Sequence, residues 1–341
     1  MTLPAPARRS VTGSGAATPP VRPLRGMFTG NDPGTLDAWI AAHGLEVPLG
    51  HQFAGYSTWA DIATPWGHTE WAAWVTARPG RRWSTSLALV AAETSGDLAA
   101  VAGGGHDEHF RSWATSAQDH PELRNGIIRL GWEHNAAGHP WSLTRDDQGS
   151  LASYNAAFAR VAKILKDTMP ACRIEWCPNV GTELWTGDFA SMYPTAAHQH
   201  IDVIGIGCYD YMWGATTAPQ GQPTPLEERW AWITEGTRGA GKNGLADQVR
   251  LARAKGKALG HTEWGLWPYD PTNPHGTTGD DPRFVHKLAR WHRAYGYAYE
   301  IYNNVLTGDG HDHRLETYPQ SLTAYQDIHA PASPWMPPDQ P

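Results

Sequence analysis

Cysteine is scarce in this chain: three residues in 341, at Cys172, Cys177 and Cys208. So few and so scattered, they exclude a disulfide framework or a cysteine-based zinc site and leave buried free thiols as the expected state. No apolar run approaches the roughly 20 residues a membrane-spanning helix needs, so no membrane partner is expected. A basic surplus is also missing. Lys and Arg number 27 against 34 Asp and Glu, a formal net charge of −7 with only 18% charged residues, which argues against nucleic acid as a partner. No glycine-rich dinucleotide fingerprint follows any strand-like run.

Phenylalanine is low as well, at 6 residues, and tryptophan stands in its place with 18. An indole offers a flat apolar face and one N–H donor, which suits stacking on the C–H face of a sugar ring. The lopsided choice favours a carbohydrate ligand, although packing uses tryptophan too. Hydrophobic residues make up 40% of the chain, enough for a substantial core.

Residues 1–22 are dominated by Pro, Ala, Gly, Ser and Thr and read as a flexible tail, as does PASPWMPPDQP over 331–341. Arg8 and Arg9 form a pair with no apolar stretch behind it, so the content is neither a secretory nor a twin-arginine signal. Localisation stays open, with a polymer substrate pointing to extracellular or phage-associated work. We expect a monomer.

Between the tails, strand-like and helix-like runs alternate. Strand candidates are Arg25–Gly30, Val47–Ala54, Trp83–Ala91, Ile127–Asn135, Arg173–Pro178, Ile201–Tyr209, Lys257–Leu266 and Tyr297–Val305. The clearest helix is Leu151–Lys166, with Tyr154, Phe158, Val161, Ile164 and Leu165 on one face. Eight strands alternating with helices predict a single (β/α)8 TIM barrel over 23–330, in preference to an open doubly wound sheet.

In such a barrel, chemistry sits at the C-terminal ends of the strands. That rule selects His51, Glu133, Asn179, Tyr209, Asp210, Glu263 and Asn303. The fourth run, IIRLGWEHN, passes from apolar to polar, and period-two alternation would put Arg129, Gly131 and Glu133 on one face. Only two glutamates appear at strand ends, on the fourth and seventh strands, so their carboxylates can meet across the barrel mouth. Opposed carboxylates suit glycoside hydrolysis, one protonating the leaving oxygen and the other attacking or stabilising the anomeric centre. Their pKa values must then be pushed apart. We expect Trp132 to raise that of Glu133, and His261 and Tyr209 to keep Glu263 charged.

The pairing of RLGWEHN with HTEWGL resembles the retaining glycoside hydrolases of clan A, and within it glycoside hydrolase family 26 and its actinobacterial relatives. The resemblance implies that Glu133 is the general acid/base and Glu263 the nucleophile. It also implies that Tyr209, in GCYDY, hydrogen-bonds the nucleophile. It covers most of the barrel in element order, but its specific part is these three short motifs. Two positions depart from the family pattern. Trp132 stands where family 26 mannanases usually keep a histidine, and their Glu-Met-Asn-Gly becomes Glu133-His134-Asn135-Ala136. The departures leave the sugar open, so a β-linked polysaccharide or oligosaccharide is as far as the substrate can be named.

His51, Arg129, Trp132, Asn179, Trp264 and Trp267 complete the candidate substrate-binding set, with Arg129 equally readable as a buried cation tuning a carboxylate. Trp264 and Trp267 flank the nucleophile and are the foremost stacking candidates, ahead of Trp176, Trp185 and Trp213 in other loops. Glu300 reads as a salt-bridged barrel residue, and His311-Asp312-His313 as a solvated loop rather than a metal cluster. No metal or cofactor is expected. Two further readings stay open: a non-catalytic carbohydrate-binding barrel, and a transglycosylase using the same residues. A retaining mechanism requires carboxyl groups roughly 5–5.5 Å apart.

Overall fold

The computed structural model describes residues 22–211, 218, 222–236, 242–269 and 279–330. The expected tails lie outside these residues except for Arg22. Eight parallel strands form the barrel: β1 Leu24–Phe28, β2 Leu49–Phe53, β3 Arg82–Leu87, β4 Ile127–Leu130, β5 Arg173–Trp176, β6, β7 Ala258–Gly265 and β8 Tyr299–Asn303. β6 comes in two pieces, Ile201–Ile204 and Gly207–Tyr209, separated by Gly205 and Ile206. Each strand pairs with its sequence neighbours, and β1 closes on β8 with Leu24 opposite Tyr299. The (β/α)8 TIM barrel is therefore the observed fold.

Local chemistry explains the outer helices. In Pro33–His43, Asp32 caps the N-terminus by accepting from Gly34 N at 2.8 Å, Pro33 opens the first turn, and Gly44 closes the helix in the left-handed region. The long helix Gln148–Thr168 starts on Asp147 and buries Leu151, Tyr154, Phe158, Val161, Ile164 and Leu165, the stripe its spacing predicts. The run Leu226–Lys255 splits into two helices, Leu226–Glu235 and Leu245–Lys255.

The core has two layers. A small cluster of Leu49, Ile127, Val203, Tyr299 and Ile301 fills the barrel, while the large cluster packs the strands against the helices. Most of the tryptophan excess belongs to that second layer. Trp71, Trp83, Trp113, Trp141, Trp176 and Trp264 are fully buried, so sugar stacking does not account for the composition. The three cysteines are free and buried, with Cys172 and Cys177 flanking β5 rather than lying within it. Among the described residues, no helix is long and apolar enough to cross a membrane.

Candidate active site

The C-terminal mouth of the barrel opens into a cleft of about 810 Å³ lined by Glu133, Asn179, Tyr209, Glu263 and Trp267. How Glu133 reaches it differs from the simple alternation. β4 ends at Leu130, and Gly131 and Glu133 both take left-handed backbone, with φ of 50° and 51°. A glutamate is rarely held there, and such strain gathers at functional sites. Hydrogen bonds hold the turn: Glu133 N donates to Cys177 O at 2.8 Å, and Ala136 N to Glu133 O at 2.9 Å. Gly207 on β6 makes room for the side chain. A Cβ there would lie 1.9 Å from Glu133 Oε1.

Glu263 is aimed by a different device. The pairing of β7 with β8 slips between His261 and Trp264, and such a bulge re-aims side chains. Thr262 and Glu263, though adjacent, both turn toward the barrel axis. Thr262 donates to the buried carboxyl of Glu175, and Glu263 reaches Arg129.

Arg129 joins the two halves. Its Nη1 donates to Glu263 Oε2 at 2.5 Å and its Nη2 to Glu133 Oε1 at 3.3 Å. The guanidinium is wholly buried, while the two carboxyl side chains keep 14% and 11% exposure at the floor of the cleft. Arg129 thus touches the glutamates and not the solvent, so it takes the buried-cation reading and not the substrate-binding one. Tyr209 Oη donates to Glu263 Oε1 at 2.5 Å, and Asn303 Nδ2 donates to Tyr209 Oη at 2.5 Å. Burial, then the charge of Glu263, pushes the Tyr209 phenol well above its ordinary range, so it remains a donor.

The electrostatics of Glu133 run against expectation. Burial raises its pKa, but the neighbouring His139 imidazole and the charge of Arg129 outweigh it, and the carboxyl is held below its ordinary value. Trp132 was expected to lift it. Its indole, however, packs sideways against Phe53, Tyr56 and Trp141, and Arg129 and His139 face the carboxyl instead.

The remaining candidates divide. Asn179 lines the cleft and helps hold Glu133 down. Trp267 lines it too, with its ring 5.6 Å from that of Tyr209. Three others are closed off. His51 uses both ring nitrogens on Ser84 and Ser86, at 2.8 and 3.0 Å, inside the barrel. Trp132 is 3% exposed. Trp264 is covered on the outer side, where its Nε1 donates to Glu300 Oε2 at 2.6 Å. None of the three leaves a face for a sugar.

Neighbours of the site change their reading as well. His261 turns away to His292, 2.8 Å between ring nitrogens, and does not assist Glu263. Asp210 is sealed against Arg229. Trp176 and Trp185 are buried, and Trp213 lies outside the described residues. His313 is buried rather than solvated: its Nδ1 meets Leu266 O at 2.7 Å and its ring lies 4.6 Å from that of Tyr209. Among the described residues no group of three His, Cys, Asp or Glu could hold a metal.

Sequence reasoning missed Glu175 and His139. Glu175 lies under the cleft, accepts from Tyr299 Oη at 2.8 Å, and has its pKa raised by burial. Glycine was the available signal, since a Cβ at Gly205 would strike Glu175 Oε1 at 1.6 Å. His139 lies in the loop after Glu133, with Nε2 3.7 Å from Glu133 Oε2.

A parallel barrel whose C-terminal cleft holds two carboxyls on one guanidinium is the class that fold and site define. Neither family models nor curated proteins match the sequence. Solved structures do match the fold. An endo-β-1,4-mannanase of Cellulomonas fimi, a double mutant, aligns with a TM-score of 0.60 at 16% identity, covering 91% of this chain and 71% of that one. The family 26 β-mannanase BoMan26A of Bacteroides ovatus gives 0.59 at 15% identity, over 90% and 87%. The catalytic domain of the Bacillus sp. JAMB-750 family 26 endo-β-1,4-mannanase gives 0.57 at 18%, over 92% and 89%. At these identities the likeness is one of fold, and the fold resembles that of glycoside hydrolase family 26.

Proposed function

We propose that this protein is a retaining glycoside hydrolase acting within the chain of a β-linked polysaccharide. Glu263 attacks the anomeric carbon, and Glu133 protonates the leaving oxygen. Glu133 then draws a proton from water, which frees the glycosyl-enzyme. The observation that carries this reading is the single buried guanidinium of Arg129 between the two strand-end carboxyls. Arg129 brings both carboxyls to one patch of the cleft floor and gives Glu263 a cationic partner while its charge is lost and regained. Tyr209, fixed by Asn303, orients Glu263 Oε1.

The cleft offers few groups that name a sugar. Trp267 is the stacking surface, and Asn179 a contact for hydroxyls beside Glu133. The similar structures are described as mannanases, and mannan heads the trial substrates for that reason. The testing experiment is a reducing-sugar assay on mannan, xylan, β-1,3-glucan and arabinogalactan, with Glu263→Ala as control. Release by the wild type and not by the variant is expected. Equal release by both would refute the assignment, and binding without release would make the protein a carbohydrate-binding barrel.

A further inference from the structure

The loop from Glu133 to Trp141 is knitted to itself. Trp141 Nε1 donates to Trp132 O at 2.6 Å, His139 N to Ser142 Oγ at 3.0 Å, and Ser142 Oγ to Ala136 O at 2.7 Å. On this frame the His139 imidazole lies parallel to Trp141, 5.0 Å between centroids at 8°, with the edge of Trp132 at 5.5 Å. From this position its Nε2 lies 3.7 Å from Glu133 Oε2.

The two oxygens of Glu133 are thereby divided. Oε1 belongs to Arg129, and Oε2 faces His139. Arg129 is permanently charged and sealed from water, so it can neither supply nor receive a proton. An imidazole nitrogen can donate or accept a proton, and the His139 side chain, 21% exposed, reaches solvent where Arg129 does not.

We propose that His139 is the proton partner of Glu133, a positioning residue that fixes the carboxyl through Oε2 and relays protons between it and solvent. The inference rests on the reading of Glu133 as acid/base. The 3.7 Å separation must close for transfer, as separations in empty active sites commonly do. The proton on His139 Nε2 passes to Glu133 Oε2, breaking an N–H bond and forming an O–H bond. Glu133 then gives a proton to the leaving glycosidic oxygen. In the second half-reaction the attacking water gives a proton to Glu133, which returns it to His139, so both groups end as they began.

The surroundings fit that assignment. Besides His139, the charged or titratable groups around Glu133 are Arg129, Glu263, Tyr209 and the thiols of Cys177 and Cys208. His134 follows Glu133 directly in the chain; burial and then the charge of His139 hold it at about 3, so it stays neutral. The departure at Trp132 gains a physical reading as well. The indole forms the wall against which a histidine six positions after Glu133 is braced.

The test is an NMR titration of the unliganded protein labelled with 13C in its glutamate carboxyls, Glu133 being assigned from Glu133→Gln. His139→Phe keeps the ring stacked on Trp141 and removes the nitrogens, and His139→Gln keeps a donor without charge. Near-UV circular dichroism of the tryptophans reports whether each variant is folded. We expect the Glu133 midpoint to rise by roughly one pH unit in His139→Phe, and the alkaline limb of kcat/KM to move upward with it. His139→Gln should move both less. An unchanged midpoint in folded His139→Phe would overturn the proposal. So would an activity loss with no shift in midpoint, which would make His139 a sugar contact only. Wild-type protein that cleaves no glycan would defeat the proposed function, while the titration would still decide whether His139 governs Glu133.

Discussion

In two places of the molecule an arginine lies between two carboxylates, with Arg283 joining Asp281 in one of them, and the two clusters end in opposite states. Arg229 binds Asp210 through Nε and Nη2 at 2.6 and 3.0 Å, and Asp281 through Nη2 at 2.8 Å. All three side chains are essentially unexposed, and Asp281 also caps the helix Pro282–Tyr295. Arg129 also lies between two carboxyls, Glu133 and Glu263, but makes one bond to each, and both look into the cleft. The sealed cluster ties the end of β6 to two helices. The open one presents its two carboxyls to the cleft. Access distinguishes the candidate site from a structural ion cluster.

Single substitutions can break that contrast. Glu263→Ala should lower turnover on a cleaved glycan by on the order of 10³-fold or more while the thermal midpoint stays close to wild type. A kinetic assay paired with calorimetry reads both. Arg229→Met should do the reverse. It strands the buried Asp210 and leaves Asp281 with Arg283 alone, so chemical denaturation should show about 3–5 kcal/mol of lost stability. If instead Arg229→Met were harmless and Glu263→Ala unfolded the chain, the two clusters would have been assigned the wrong way round.

Tyr209→Phe removes one charge-assisted hydrogen bond from Glu263. It should cost roughly tenfold to a hundredfold in kcat with KM little changed, as steady-state kinetics would reveal.

The smallest effect concerns a third carboxyl, away from either cluster. Glu300 lines a separate hollow of about 740 Å³ at the N-terminal end of the barrel. It is surrounded by Trp264, His329, Arg25 and Tyr325. Burial pushes it up to about 8, against the opposing pull of the Trp264 hydrogen bond and Arg25. A carboxyl raised in this way binds its proton more tightly when folded. Its contribution is therefore full below its ordinary value and is lost as pH rises toward 8. Glu300→Gln keeps an acceptor for Trp264 without the titration. It should gain roughly 1–3 kcal/mol over wild type at pH 8 and little at pH 5, measured by urea unfolding at both.

Much of this architecture is legible in the sequence because β-rich runs and helical stripes report burial directly. The (β/α)8 order follows, and so do the two glutamates, since a strand-end carboxylate stands out against an apolar run. What stayed hidden depends on backbone departures and distant partners. Period-two alternation cannot show that β4 stops at Leu130 and that Glu133 turns in left-handed backbone. Nor can it show the slip in β7 that points Thr262 inward and His261 outward. Tryptophan is ambiguous for a simpler reason: one indole serves a core or a sugar, and only burial separates Trp264 from Trp267. The groups that lower Glu133, Arg129 and His139, sit four residues before it and six after, spacings that carry meaning only once the turn is known.

The central claim is double displacement at the Glu133–Glu263 pair. Its most direct test is the proton NMR spectrum of the first sugar released from a cleaved β-glycan, recorded before mutarotation. The account predicts the β-anomer, with configuration retained. Initial release of the α-anomer would contradict it, because a single displacement by water inverts the centre and leaves Glu263 no part as nucleophile.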